Sequence, residues 1–405
     1  MNRKVARAIG LAVLAAGIQA AQAQQVEFKP LVDARLRYEQ VDQQGLADAA
    51  DALTQRIRSG VQASKGPWSV LVESEATLAI SEHYNSGTNG KAAYPLVIDP
   101  QNIELNRAQL RYAAHGVTAT AGRQLIELAD QRFVGSSNFR QNQQTYDAAR
   151  LQWGGAKGPF ADISYAWSDR TVNGIDGTGA RQPAVSGNNV FALLGYAGKI
   201  GTLTGFAYLV DQDEAAVQGF RLSSQTYGLR LAGSVPLTPA VKLGYVASWA
   251  RQSDYHRNPN DYAADYWLGE TSVTIKGLAA TGGYEVLGAD RGVALTSVQT
   301  PLSSLFKFQG WADKFTTTPP NGIRDLYAVA GYNWRKTGPF DAIALSATYH
   351  RFDSDRLGQH YGDEWDLLAS VKRSHATVSA RYARYRADSF ATDTDKFWLE
   401  FGWTL

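Results

Sequence analysis

Beyond residue 24, apolar side chains recur at every second position in runs of about ten, the spacing of a strand whose two faces meet different surroundings. Val32, Ala34, Leu36 and Tyr38 alternate with Asp33, Arg35, Arg37 and Glu39. Ala108, Leu110 and Tyr112 alternate with Arg107, Gln109 and Arg111. The same period runs through Val241, Leu243, Tyr245, Ala247 and Trp249, through Ile343, Leu345, Ala347 and Tyr349, and through Phe397, Leu399, Phe401, Trp403 and Leu405. Aromatic residues gather at the ends of the runs, at Trp68, Trp153, Phe160, Trp167, Trp249, Trp267, Trp334 and Trp403. Such girdles mark the two interfaces of a bilayer. A soluble β-sandwich also alternates, but it does not place its tryptophans and tyrosines at strand ends.

The links between runs alternate in length. Short ones lie at Lys65-Gly66-Pro67, His115-Gly116, Lys157-Gly158-Pro159, Gly198 to Gly201, Pro236 to Pro239, Lys276-Gly277, Thr337-Gly338-Pro339 and Arg373 to His375. Long polar stretches occupy 41–54, 82–103, 124–144, 170–188, 212–223, 252–264, 288–325, 353–363 and 387–395. The strands between them number eighteen, with both ends of the chain on the short-turn side. An even count closes a ring, which is how a sheet satisfies every backbone donor and acceptor inside lipid. The expectation is an all-β chain: a transmembrane antiparallel barrel with short periplasmic turns and long extracellular loops.

The amino terminus sets the compartment. Arg3, Lys4 and Arg7 precede an apolar run from Ala8 to Ile18, and Ala21-Gln22-Ala23 supplies a small-x-small cleavage site, so residues 1–23 read as a secretory signal and 24–405 as one barrel domain. Removing the signal leaves 37 basic residues against 38 acidic ones, so the mature chain is near neutral and no nucleic-acid partner is indicated. The absence of cysteine excludes disulfides, thiolate metal sites and a cysteine nucleophile. Outer-membrane lipid is the implied surroundings, and the sequence points to no particular periplasmic partner.

With the apolar set facing lipid, the polar set faces the lumen. Arg35, Arg37, Arg56, Arg58, Arg107, Arg111 and Arg150 all fall on inward positions in the first half, interrupted by Glu73 and Glu75. A barrel this wide leaves an aqueous interior. A ring of guanidinium groups there attracts anions, carboxylates above all, because the planar fork engages both oxygens. The competing reading is a structural ladder in which these arginines pair with Asp33, Glu39, Glu73 and Glu75. Two loops are long enough to dip into the pore. Segment 122–150 carries Arg123, Arg132, Arg140 and Arg150 with Asp130 and Asp147, and 288–325 contains an amphipathic stretch, 300–315, which would make the strand count odd and is assigned to a folded loop.

Four motifs stand in these two loops: Gly122-Arg123-Gln124, Arg132-Phe133-Val134-Gly135, Arg140-Gln141-Asn142 to Thr145-Tyr146-Asp147, and Thr300-Pro301-Leu302 through Phe308-Gln309-Gly310-Trp311-Ala312-Asp313-Lys314-Phe315. In them the chain resembles the alginate export family of outer-membrane proteins. The resemblance implies an eighteen-stranded barrel with an electropositive pore for an anionic polyuronate. Acidic saccharide, alginate or its oligomers, and small anionic solutes are the cargo classes it leaves open.

Rival classes are weaker. None of the six histidines sits beside a serine on an inward face as a dyad, and His350, though inward, shows no partner in the sequence, so no enzyme and no cofactor are expected. Asp353, Asp355, His360, Asp363 and Glu364 match no established calcium loop and read as a solvated acidic rim rather than a metal site. No plug domain precedes the first strand, which speaks against an energised transporter. A general porin without charge preference and a non-conducting receptor barrel remain the alternatives.

Overall fold

The computed structural model describes residues 25–405, so the signal segment 1–23 lies outside the described residues. Eighteen strands follow in chain order. The first nine are β1 (Glu27–Gln43), β2 (Ala50–Lys65), β3 (Trp68–His83), β4 (Asn102–Ala114), β5 (Val117–Gln124), β6 (Thr145–Gly154), β7 (Gly158–Arg170), β8 (Ala184–Ala197) and β9 (Thr202–Val210). The rest are β10 (Ser224–Pro236), β11 (Val241–Asp254), β12 (Ala263–Ile275), β13 (Leu278–Leu287), β14 (Ile323–Thr337), β15 (Phe340–Asp353), β16 (His360–Arg373), β17 (Ala376–Ala387) and β18 (Thr394–Thr404).

Each strand pairs antiparallel with its sequence neighbours, and β1 pairs with β18, so the sheet is a closed ring without edges. The closing seam runs from Asp33↔Thr404 to Gln43↔Thr394 and is finished by the Leu405 N–H donating to the Val32 carbonyl at 3.0 Å. Both ends of the described chain therefore meet on the short-turn side, as the link pattern required. The tightest turns have the chemistry expected of hairpins. Lys65 pairs with Trp68, and Thr337 with Phe340, across Gly-Pro links whose glycines hold φ of 58° and 59°. A two-residue hairpin needs that positive φ at its first central position.

The apolar set points outward. Leu110, Leu151, Ile163, Leu229, Leu345 and Phe401 are exposed along the strands, and Trp68, Trp153, Trp167, Trp249, Trp267, Trp334 and Trp365 are exposed near strand ends. This belt, which a soluble protein would bury, is covered by hydrocarbon in a bilayer. Phe160 departs from the expected girdle. It lies on the same face as Asp162, over Gly195, and lines the lumen. Its neighbour Trp153 supplies the lipid-facing aromatic at that turn.

The buried core sits inside the barrel. Ile126, Leu128, Val134, Leu302 and Phe315 from the two long loops pack against inward wall residues, among them Tyr146, Phe191, Tyr208 and Tyr266. The loop between β13 and β14 holds only a short 3-10 turn, Leu305–Lys307, so 300–315 is a folded loop and adds no strand.

Candidate functional site

The lumen is built from three sets of side chains: the inward wall, the loop 125–144 after β5, and the loop 288–322 after β13. The loops are tied to each other and to the wall. The Gly135 N–H donates to the Leu302 carbonyl at 2.8 Å, the Ser137 N–H donates to Ser304 Oγ at 2.9 Å, and Arg140 meets Asp313 at 2.8 Å. Lys396 of β18 reaches the other oxygen of Asp313 at 3.0 Å. Burial pushes the Asp313 carboxyl up, but Arg140 and Lys396 outweigh it and hold the group below its ordinary value. Both loops thus fold across the lumen.

Most of the sequence-derived arginines have carboxylate partners. Arg35 and Arg56 stand opposite each other on β1 and β2 with Arg37 and Arg58 on either side, a juxtaposition of like charge that needs compensation. Arg37 supplies it in part by bridging Asp99 at 2.9 Å and Glu400 at 2.7 Å, fully buried beneath the Phe139 ring. Arg35 donates to Gln141 and stands 3.8 Å from Glu400. Arg56 pairs with Asp33, and Arg58 with Glu75, whose other oxygen accepts the Gln143 N–H at 3.1 Å. Arg107 grips Glu73 with two nitrogens, at 2.9 and 2.6 Å. Arg150 grips Asp162 likewise, at 2.9 and 2.5 Å. Arg132 lies buried 3.0 Å from Glu285 and over the Phe308 ring.

Two positions differ from this pattern. Arg111 faces the lumen, exposed, opposite Ser69 and Thr120, and has no ion pair among the described residues. Arg123 was expected in the pore but stands on the outward face. It pairs across the strands with Asp147, which shares that face with Leu151 and Trp153, and grips it at 2.8 and 2.9 Å. Pairing runs unbroken along β5 to Gln124, so the alternation that turns Thr120 toward Arg111 and Arg150 turns Arg123 to the lipid side.

The wall also holds charges that sequence reading did not single out. Arg381 pairs with Glu400, Arg230 meets Asp130 at 2.9 Å, and Arg170 meets Glu104 at 3.1 Å. Across the bore, Glu270, Glu285, Asp325 and Asp366 come from β12, β13, β14 and β16, joined by Glu364 of β16, which was read as part of the solvated rim but is fully buried, accepting the Ala312 N–H of the inner loop. His350 does have a partner: its Nδ1 lies 2.9 Å from Asp325, with Asp366 3.8 Å from Nε2. On the outer rim, His360 bridges Asp353 at 3.0 Å and Asp363 at 3.1 Å.

Three cavities surround the loops. An outer one of about 560 Å³ is lined by Phe139, Arg140, Asn173, Gln212 and Phe306. One of about 420 Å³ lies against the acidic wall with Arg230, Trp311 and Tyr327. One of about 580 Å³ opens beside Arg111, Asp162 and Thr204. Lys307 lines both the outer cavity and the acidic one, and Glu127 lines both the outer cavity and the one beside Arg111. Neither residue stands out in the sequence, because both lie in loops without period.

The model of the alginate export family matches residues 25–168. No curated protein sequence matches the chain. Solved structures share the fold at low identity. Pseudomonas aeruginosa OpdQ is 15% identical with a TM-score of 0.65, over 94% of this chain and 99% of that one. Acinetobacter baumannii OccAB3 is 15% identical with a TM-score of 0.68, over 94% and 99%. Pseudomonas aeruginosa OpdK, crystallised with vanillate, is 13% identical with a TM-score of 0.68, over 94% and 98%. The chain is an eighteen-stranded antiparallel β-barrel with a lipid-facing apolar belt, and its residues 25–168, from β1 through most of β7, match the model of the alginate export family.

Proposed function

We propose that the barrel is a diffusion channel for anionic solutes that carry carboxylates, acidic saccharides and their short oligomers included. The observation that carries this reading is the cluster of guanidinium groups on the inward face of the first strands. Arg35, Arg37, Arg56, Arg58, Arg107 and Arg111 come from β1 to β4, interleaved with Asp33, Glu73 and Glu75, and Arg111 has no ion pair among the described residues. A guanidinium that faces water without a counter-charge attracts a passing anion.

The loops joined across the lumen favour a narrow path, hence small solutes or an extended chain over a bulky one. OpdK with vanillate supports carboxylate cargo in a barrel of this fold. The family match over the first strands supports an acidic saccharide. Reversal potentials in planar bilayers under a KCl gradient test the proposal. Anion preference supports it, open current without preference indicates a general porin, and absence of current indicates a receptor barrel.

A further inference from the structure

The arginines of the upper lumen are largely matched by carboxylates, which raises the question of where unmatched positive charge lies. Apart from Lys307 and Lys314 of the loop 288–322, which have no ion pair among the described residues, it lies at the other end. Lys29, Arg111, Lys242, Arg335 and Lys372 are each within three residues of the periplasmic end of their strand. Register places all five on the inward set. Lys29 shares it with Arg35, Arg111 with Arg107, and Lys242 with Gln252, which touches the loop 288–322. Arg335 and Lys372 flank Ala342 of β15 in one cross-strand row, on the same face as Asp325 and Asp366.

All five are exposed, and none has an ion pair or a side-chain hydrogen bond among the described residues. At the same level, Asp162 is gripped by Arg150, Glu27 at the very start of β1 is an inward carboxylate without an ion pair among the described residues, and Glu127 of the loop after β5, likewise without one, shares the cavity beside Arg111. The turns beyond add Lys65, Lys157, Lys199, Lys276, Lys336 and Arg373, all exposed.

We propose that these five side chains form a cationic collar at the periplasmic mouth which sets the charge selectivity of the pore and holds anions bearing several carboxylates. The inference deepens the anion-channel reading and rests on it. The physical basis is that an ion pair presents a dipole whose field falls off quickly, whereas an unpaired ammonium or guanidinium facing water keeps its full charge. Charges about 10 Å from a passing ion, screened over a Debye length of about 10 Å at 0.1 M salt, each contribute only a fraction of RT. Five acting together raise the anion-to-cation ratio about tenfold. A collar at one mouth also makes the channel asymmetric, since a multivalent anion meets it first from the periplasmic side.

The test is a variant in which Lys29, Arg111, Lys242, Arg335 and Lys372 are all replaced by Gln, inserted with the wild type in bilayers of neutral lipid. In the wild type, citrate added on the periplasmic side reduces current at lower concentration than citrate added opposite. In the variant the anion-to-cation permeability ratio falls about tenfold and the sidedness of citrate block disappears. Glu27→Lys, which adds to the collar, shifts the ratio the other way, and its conductance shows that substitution at this rim leaves the barrel folded. A wild type without anion preference overturns the channel reading itself. An anion-selective wild type matched by the five-site variant, or unmoved by Glu27→Lys, overturns the collar and leaves the channel reading in place.

Discussion

Replacing Arg37 by Ala removes the side chain on which the loop 125–144 is hung. Its guanidinium is buried, pairs with Glu400 and Asp99, donates to the Phe139 carbonyl, and lies 4.2 Å from the centre of the Phe139 ring. In the variant Glu400 still has Arg35 and Arg381, but Asp99 keeps only the Gln141 N–H, at 2.7 Å. The penalty therefore falls on Asp99, a buried carboxylate left without a counter-charge, and amounts to about 3–5 kcal/mol. Every 1.4 kcal/mol is about tenfold, so the ratio of docked to undocked loop falls by roughly two to three and a half orders of magnitude. Single-channel recording reads this directly: R37A shows larger conductance steps and added flicker, because the loop no longer holds its place across the bore. The double variant R37A/D99N recovers part of the quiet state by removing the stranded charge. Conductance and noise equal to wild type in R37A, with no difference in the double variant, refute the assignment of Arg37 as the anchor.

Other outcomes follow from the same geometry. Burial, followed by repulsion from Lys396, pushes Lys314 of the inner loop down to about 8. The folded protein then binds fewer protons at this site than the unfolded chain between that value and the ordinary lysine range of about 10.4, so loop stability rises with pH across that window while the lumen loses one positive charge. Anion selectivity measured from reversal potentials declines as pH rises through about 8, and K314Q flattens that step. R111A lowers anion selectivity on its own, whereas R107A, which strands Glu73 on the wall, acts chiefly by adding a negative charge and is compensated in R107A/E73Q; equal selectivity in R107A and R107A/E73Q refutes this. Leu345→Arg, on the lipid face of β15, costs about 2–4 kcal/mol in unfolding from vesicles if the site lies near the bilayer midplane, and a cost near zero places it elsewhere. Lys307→Ala, between the outer cavity and the acidic one, alters the conductance of small carboxylates; if their currents are unchanged, solutes do not pass this point.

The strand count and the alternation of turns and loops are legible in the sequence because two simple constraints repeat. Each strand shows opposite faces to lipid and water, and each periplasmic link is too short for anything but a turn. Arg123 shows where this fails. Val117, Ala119 and Ala121 alternate with Thr118 and Thr120, which puts position 123 on the apolar face, but a charged residue there reads as lumen-facing until its pairing with Asp147 shows the side to which Arg123 turns. Phe160 fails for another reason: an aromatic at a strand end fits the girdle as well as the lumen, and the small inward residue opposite, Gly195, decides between them.

The choice between an arginine filter and a salt-bridge ladder turns on partners that sequence distance hides. Asp99 and Asp313 come from loops, and they meet Arg37 and Arg140 only because those loops fold inward. A guanidinium committed to a loop carboxylate holds that loop and lends little field to the bore, so the arginine-rich strands β1 and β2 build the constriction more than they charge it. Charge selection is then free to reside among side chains that hold no counter-charge and face water. That division predicts separable phenotypes: removing a paired arginine together with its carboxylate changes conductance and gating, and substitutions among the unpaired ones change ion preference at unchanged conductance steps. A variant lacking both members of a pair that altered preference alone, with steps and noise as in wild type, would show that the ladder itself is the filter.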